Sequence, residues 1–428
     1  MSIKGLKGFK DILPEEAALW QHIEATARAI FHRFGYKEIK VPILEKTGLF
    51  ARSIGETTDI VEKEMYSFLD RNGESLTMRP EGTASVLRSF IEHNMHTEHP
   101  IQKLYTIGPM FRHERPQKGR LRQFHQMSVE ALGADQPEVD AEIIAMAWML
   151  MTELELDVSL EINSLGCPQC RPAYNQALLD FLEQRKGGLC PDCERRRYKN
   201  PLRVLDCKNK NCQGHYVNAP SILDHLCADC AEHFQTVEAC LKALDISYKV
   251  NSFMVRGLDY YTRTTFELLT NALGAQSAVG AGGRYDGLVR QLGGPALPGI
   301  GFAMGIERLA LLLAARQKSK ATDLVDMFIA ALGKAAQKKA FVMTHALRHS
   351  GLRVVMDYAG RSLKSQMKQA AKLGSRFVLI IGDDELAKGR AVMRDMQSHE
   401  QEDIALSDDQ AAWSSEMTEK IKRHCGSG

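Results

Sequence analysis

The 428 residues are 44% hydrophobic and 25% charged, ordinary values for a globular protein and enough length for two or three domains with real cores. No apolar run approaches the roughly 20 residues that span a bilayer, and the start, MSIKGLKGFKDILPEE, lacks the apolar stretch of a secretory signal. A membrane role is therefore disfavoured and a cytoplasmic protein is expected. The net charge of +2 hides an asymmetry, because between Arg316 and Arg376 there are 13 Lys/Arg against only Asp323, Asp326 and Asp357. Such a field suits an anionic macromolecular partner, with solvated helix faces as the plainer reading.

Pro14 stands as a first-turn proline, and Leu19, Ile23, Ala27, Ile30 and Phe34 recur at helical spacing, which predicts an amphipathic helix over 14–34 ended by Gly35. Ile39, Val41 and Ile43 then alternate as a strand. Pro42 has no N–H for a ladder, so that strand belongs at an edge or beside another element. Residues 75–86, SLTMRPEGTASV, predict a short strand, a turn through Pro80 and Gly82, and a helix from about Thr83. Glu81 at the junction is either a first-turn carboxylate favoured by the helix dipole or a buried acid for a substrate ammonium.

Leu104, Tyr105, Ile107, Met110 and Phe111 lead into a turn of Pro116, Gln117, Lys118 and Gly119, and Phe124, Met127, Val129 and Ala131 lead out, the pattern of an antiparallel hairpin. Arg112, Arg115, Lys118, Arg120 and Arg122 lie along it with one acid, Glu114. That density of fixed charge suits a polyphosphate or a nucleic-acid backbone, or else a solvated surface hairpin. An apolar helix over 141–154 and a strand over 158–162 follow.

From Gly166 the texture changes, with cysteines in spaced pairs: Cys167 and Cys170, Cys190 and Cys193, Cys207 and Cys212, Cys227 and Cys230. The knuckles within 167–193 match one four-cysteine zinc site and those within 207–230 complete a second, the alternative being metal-free thiols. Cys240 and Cys425 stand alone. Arg195, Arg196, Arg197, Lys199, Arg203, Lys208 and Lys210 form a basic run that faces RNA or solvent.

VRGLDYYTRTTFELL at 255–269 alternates into a strand, and SAVGAGGRYDGL at 277–288 gathers glycines where a ligand approaches the backbone or a sheet bulges. GIGFAMGIERLALLL at 299–313 reads as a glycine-punctuated strand followed by a helix with Leu309, Leu312 and Leu313 inward and Arg308 in its first turn. After a polar linker over 317–323, strands at 327–332, 352–356 and 377–381 alternate with helices, predicting a small open sheet flanked by helices and carrying no GxGxxG.

The run FRHERPQKGRLRQFHQ resembles the second signature motif of class II aminoacyl-tRNA synthetases, the segment around Pro42 the first, and GIGFAMGIERLALLL the third. SLTMRPEGTASV, RGLDYY and AGGRYDGL resemble motifs of the histidyl-tRNA synthetases in particular. The resemblance implies an α/β and α+β multidomain chain. Its antiparallel-sheet catalytic domain would occupy 1–165 and 246–322, interrupted by a Cys-rich helical insertion over 166–245, with an α/β anticodon-binding domain over 326–424. It further implies a homodimer that joins L-histidine to tRNA(His) using ATP and its Mg²⁺; Zn²⁺ is a candidate on the cysteine spacing alone.

By the same resemblance Arg112 and Arg256 are catalytic at the α-phosphate, and Glu114, Arg120, Phe124 and Arg308 complete the ATP site. Phe124 would stack on adenine, and Arg308 would sit on the γ-phosphate or over the ring. Glu81, Thr83 and Gln126 are expected at the amino group of histidine and Glu130 and Tyr261 at its ring nitrogens. Arg256, Tyr260 and Tyr285 would complete that pocket. A catalytically inactive paralogue regulating histidine biosynthesis typically lacks the C-terminal domain and an intact RGLDYY, and a tRNA-sensing pseudo-enzyme fits poorly with intact Arg112, Arg256 and Arg308.

Overall fold

In the computed structural model, which describes residues 3–55, 58–117, 119–185, 187–207, 209–273, 278–316 and 325–425, the chain divides into two units, Met1–Lys318 and Ser319–Gly428. Among the described residues of the larger unit, eight strands form one sheet in the order Lys37–Glu38, Gln102–Phe111, Gln123–Leu132, Gly299–Gly305, Ala278–Arg284, Thr262–Leu269, Ser159–Ser164 and Tyr248–Val250. The pairings are antiparallel except at the two edges, where Lys37–Glu38 and Tyr248–Val250 join in parallel. The predicted hairpin forms the second and third strands of this sheet, paired from Gln102↔Leu132 to Phe111↔Gln123.

Period-two alternation assigns each strand two faces. Met127, Val129 and Ala131 with Ile300, Phe302 and Met304 turn one way, into the main core. There they meet Ile23, Ala27, Ile30 and Phe31 of helix Pro14–Arg33, Ile143, Ile144 and Ala147 of Pro137–Glu153, and Leu309 and Leu312 of Ile306–Arg316. Phe234, Val237 and Leu241 of helix Ala228–Ala243 close the same core. The helices therefore leave the opposite face of the central strands for the site.

One expected strand is corrected. Ile39, Val41 and Ile43 do not form a single element: Lys37–Glu38 belongs to the large sheet, whereas Leu44–Lys46 pairs with Ser75–Met78 in a separate three-stranded sheet. The crossing between them follows from Pro42, which offers no N–H, and from buried Arg79, whose Nη1 donates to the Val41 carbonyl at 2.9 Å. The helix and strand expected over 75–86 appear as Ser75–Met78 and Thr83–Glu92. The expected linker over 317–323 lies outside the described residues.

The smaller unit carries the expected alternation, with strands Val354–Met356, Met327–Leu332 and Phe377–Gly382 parallel and adjacent. Arg390–Asp395 and Gln401–Ala405 add two antiparallel strands, and helix Gln410–Cys425 contributes Trp413, Met417 and Ile421 to the core. Gln366, fully buried on helix Leu363–Lys372, exchanges two hydrogen bonds with the Ala331 backbone and so fixes that helix to the end of a central strand. No helix among the described residues is long and apolar enough to cross a membrane.

Beneath the larger sheet, Asp140 and Arg284 form a fully buried ion pair, with Arg284 Nε donating to Asp140 Oδ1 at 3.0 Å and His233 Nε2 donating to Oδ2 at 2.7 Å. Burial alone would raise the Asp140 pKa, but the His233 and Arg284 contacts outweigh it and hold it below the usual value. Arg284→Ala strands a carboxylate and is expected to cost about 3–5 kcal/mol, read as a lowered urea midpoint. Because the folded pKa is depressed, the stability from Asp140 is present above the unfolded value of about 3.9 and is lost as pH falls through the folded one. The acid limb of a stability–pH curve should therefore flatten in Asp140→Asn.

Candidate active site

The face of the sheet opposite the helices carries Phe124, Gln126 and Glu130 from one strand and Gly301, Ala303 and Gly305 from its neighbour, all lining one cavity of about 350 Å³. Glu81 and Thr83, at the start of helix Thr83–Glu92, enter it from above the sheet end. The remaining walls include Arg112, Glu114 and Arg120 from the hairpin, Arg256, Tyr260 and Tyr261 from the 256–261 loop, and Tyr285 and Arg308. Every residue expected at ATP or histidine thus borders the same cavity. Gly301 is required there, since a Cβ would fall 2.1 Å from Glu130 Oε2 and 2.3 Å from the Val129 carbonyl.

The cations cluster. Arg112 Nε donates to the Pro80 carbonyl at 2.8 Å, its guanidinium lies 5.4 Å from the Phe124 ring centre, and Arg120 pairs with Glu114. Arg308 Nε donates to the Gly119 carbonyl at 3.2 Å and its Nη1 to Ala278. Burial lowers the pKa of all three, and neighbouring guanidiniums lower Arg120 and Arg308 further. Like charges drawn together out of water suit a polyanion, which supplies the bidentate acceptors that a fork of N–H groups matches.

The acids cluster too. Glu81 accepts the Thr83 N–H at 2.7 Å and the Ala84 N–H at 2.9 Å, so it serves the helix terminus and borders the cavity at once. Thr83 Oγ1 donates to Glu130 at 2.6 Å, and the Tyr285 hydroxyl donates to its other oxygen. Burial raises Glu81 and pushes Glu130 up to about 8, with Glu81 adding like-charge repulsion to the latter. Burial also raises Tyr260, Tyr261 and Tyr285, and the Tyr260 and Tyr261 rings lie 4.6 Å apart. Gln126 Oε1 and Arg256 Nε are buried without a hydrogen-bond partner among the described residues. An unsatisfied acceptor beside two acids is chemistry for a ligand carrying N–H groups.

Two cavity partners escape sequence reasoning. Glu267, on strand Thr262–Leu269, pairs with Arg256 and keeps that guanidinium's pKa raised although burial would lower it. Glu307 accepts the His125 N–H at 2.9 Å, joining the hairpin to the first turn of helix Ile306–Arg316. The available signal is faint: Glu267 is the one acid in the apolar run TTFELL, and Glu307 directly precedes Arg308.

The cysteines converge, but not in the expected combinations. One group joins Cys167 and Cys170 to Cys227 and Cys230, and the other, nested inside it in sequence, joins Cys190 and Cys193 to Cys207 and Cys212. The ligand atoms of each lie within 4.8 Å of one another. Helices Arg171–Glu183 and Ala228–Ala243, each beginning beside an outer pair, bring the distant knuckles together. Arginines of the basic run are engaged within the chain: Arg195 with Asp192 at 2.6 Å, Arg196 with Asp59 at 3.1 Å, Arg197 with Glu194 at 2.9 Å and Arg203 with Asp259 at 2.8 Å. Lys208 lies outside the described residues.

Comparison with known proteins agrees with this geometry. The family described as Histidyl-tRNA synthetase matches residues 8–309, and that described as Anticodon binding domain matches residues 326–410. The chain is 58% identical over 407 residues to a histidine--tRNA ligase of Desulfotalea psychrophila, covering 95% of this chain and 94% of that one. It is 57% identical over 411 residues to a histidine--tRNA ligase of Geobacter sulfurreducens, covering 96% and 99%. The crystal structure of apo S. aureus histidyl-tRNA synthetase, 38% identical, superposes with a TM-score of 0.81 over 96% of this chain and 100% of that chain. Cavity, strand order and motif positions therefore have one common account: the chain belongs to the histidyl-tRNA synthetase family.

Proposed function

We propose that the cavity holds ATP and L-histidine together, so that histidine is activated as histidyl-adenylate before transfer to the 3′ end of tRNA(His). The chain is a histidine–tRNA ligase, releasing AMP and diphosphate. The observation that supports this reading of the site is the pairing, within one cavity, of a polyanion-suited group of arginines with a group of acids suited to N–H donors.

In the first step a carboxylate oxygen of histidine attacks the α-phosphorus, an O–P bond forms, and diphosphate leaves with the electrons of the broken α–β bridge. Arg112 and Arg256 flank the α-phosphate and stabilise the charge that grows in the pentacoordinate transition state. In the second, a hydroxyl of the terminal ribose attacks the acyl carbon and AMP departs. Phe124 stacks on adenine, Arg120 and Arg308 hold the triphosphate, and Arg308 also reaches the γ-phosphate or the ring face. Mg²⁺ would neutralise phosphate charge, with Glu114 as the carboxylate at that end of the cavity.

Glu81, Thr83 and Gln126 receive the α-ammonium, a role supported by the unpartnered Gln126 Oε1. Glu130 and Tyr261 take the two imidazole nitrogens, and Arg256, Tyr260 and Tyr285 close the pocket. Residues 1–165 and 246–322 form the catalytic domain and 326–424 read the anticodon. The enzyme works in the cytoplasm as a homodimer joined near Pro42, a role supported by exposed Ile43, Leu44, Phe68 and Leu69 on the small sheet or beside it.

The 166–245 insertion binds two Zn²⁺. A tetrahedron with Zn–S bonds of about 2.3 Å has S···S edges of about 3.8 Å, and Cys167 lies 3.6 Å from Cys170 and 3.9 Å from Cys227, while Cys190 lies 3.9 Å from Cys207. The Cys227 and Cys190 N–H groups donate to Cys170 and Cys212 sulfurs at 3.2 and 3.1 Å, which favours thiolates. The metals would be structural, holding the insertion folded.

Arg256→Ala is expected to cut histidine-dependent ATP–pyrophosphate exchange by about 10²–10³-fold, as loss of such a charge contact does, with smaller changes in the KM for each substrate. Near-normal exchange in a folded variant would remove Arg256 from the phosphoryl step.

Burial favours the protonated form of Glu130 near neutrality, and its carboxylate is the stronger acceptor for an imidazole N–H, so histidine should bind more tightly as pH rises toward about 8. Calorimetry at pH 7.5 in buffers of different ionisation enthalpy should register a released proton, and Glu130→Gln should abolish it.

Metal analysis should find about two zinc ions per chain, and Cys167→Ser should release one while leaving the inner group loaded. Release of both, or none, would contradict the nested pairing.

A further inference from the structure

The 256–261 loop carries Arg256, Tyr260 and Tyr261 into the cavity without belonging to a helix or a strand. Such a segment holds a side chain in place only if something fixes its backbone. One main-chain contact comes from the catalytic domain, the Asp259 N–H donating to the Ile54 carbonyl at 3.3 Å. The stronger contacts come from the cysteine-rich segment. Arg203 Nε and Nη2 donate to Asp259 Oδ1 at 3.0 and 2.8 Å, and Nη2 also donates to the Gly257 carbonyl at 3.0 Å. Asn200 Nδ2 donates to the same carboxylate oxygen at 3.1 Å. Arg171, next to Cys170, donates to the Tyr261 carbonyl.

We propose that Arg203, seconded by Asn200 and Arg171, is a positioning residue for histidine activation: its guanidinium spans Asp259 and Gly257 and so sets where the 256–261 loop presents Arg256 and the two tyrosines. The proposal rests on the reading of that loop as part of the histidine and α-phosphate site. A guanidinium suits the task because one rigid fork bonds a carboxylate and a carbonyl together, and Arg203 is only 14% exposed, so water competes weakly. Asn200 and Arg203 lie between Cys193 and Cys207, and Arg171 follows Cys170, so each strut issues from beside a four-cysteine group. The insertion thereby bears on the first half-reaction, which needs no tRNA.

The test is histidine-dependent ATP–pyrophosphate exchange by the full-length protein without tRNA, with thermal midpoint and metal content measured alongside. Arg203→Ala should lower kcat/KM for histidine by about 10- to 100-fold, the order that a displaced reacting group produces, while the KM for ATP, the midpoint and the metal content stay near wild type. Arg203→Lys should recover part of the loss. Arg195→Ala, a neighbouring arginine whose side chain is 66% exposed, should behave as wild type. Wild-type kinetics in folded Arg203→Ala, or an equal loss in Arg195→Ala, overturns the proposal. Should Arg203→Ala fail to fold, Asp259→Asn keeps the side-chain size and must show the same selective loss, and unchanged kinetics in it overturns the proposal equally. Arg256→Ala run in parallel separates the two readings: retained exchange there sinks the site assignment and this proposal with it, whereas its loss beside wild-type Arg203→Ala sinks this proposal alone.

Discussion

The buried carboxylate of Asp140 is where three parts of the larger unit are tied to one another. It lies on helix Pro137–Glu153, takes the guanidinium of Arg284 from the end of strand Ala278–Arg284, and takes the ring of His233 from helix Ala228–Ala243. Charges in such a place are tolerated only when paired and saturated with hydrogen bonds, and Arg284 spends further N–H groups on the Ala134 and Gln136 carbonyls. The arrangement cannot slide by a residue without stranding an ion. The next residue, Tyr285, donates to Glu130 inside the cavity, so the register enforced beneath the sheet is delivered directly to the site above it.

Sequence reveals most where local rules and burial agree. The hairpin is legible because alternation, a Pro- and Gly-containing turn and the cation run all point one way, and the strand faces then follow from periodicity. Motif resemblance added what periodicity lacks, namely which of many arginines and acids meet. The Ile39–Ile43 alternation misleads because one proline and one buried Arg79 divert the chain between sheets, a tertiary effect that no local window contains. Glu267 and Glu307 stay hidden for a related reason: a lone carboxylate on a strand or in a helix turn reads as solvated until its partner arrives from elsewhere in the chain.

The cysteine groups mark the same boundary. Spacing identifies the CxxC knuckles as pairs, since two ligands three residues apart can always reach one ion, but it cannot say which pairs share an ion. Nearest-in-sequence grouping would make two independent knuckles. The fold instead nests one group inside the other, which closes the segment at both levels and returns the chain to the sheet close to where it left, at Ser159–Ser164 and Tyr248–Val250 on adjacent strands. The basic run is likewise only partly legible alone: Arg195, Lys199 and Lys210 are exposed, whereas Arg196 and Arg203 pair with Asp59 and Asp259, which are distant in sequence.

Some cations of the cavity are paired, Arg120 with Glu114 and Arg256 with Glu267, but at one turn the backbone keeps two opposite charges from meeting. Arg112 and Glu81 are close enough for each to favour the other's charge. Yet Arg112 Nε is held by the Pro80 carbonyl, while both Glu81 oxygens are held by the Thr83 and Ala84 N–H groups. The turn that carries Pro80 to Thr83 therefore keeps this guanidinium and this carboxylate apart, each oriented by main chain, and Arg112 Nη1 lies instead 4.0 Å from Glu114. A collapsed ion pair there would have nothing left to offer a phosphate or an ammonium. The main-chain contacts at that turn keep Arg112 and Glu81 distinct, which is the arrangement that two oppositely charged substrates need if they are to meet between them.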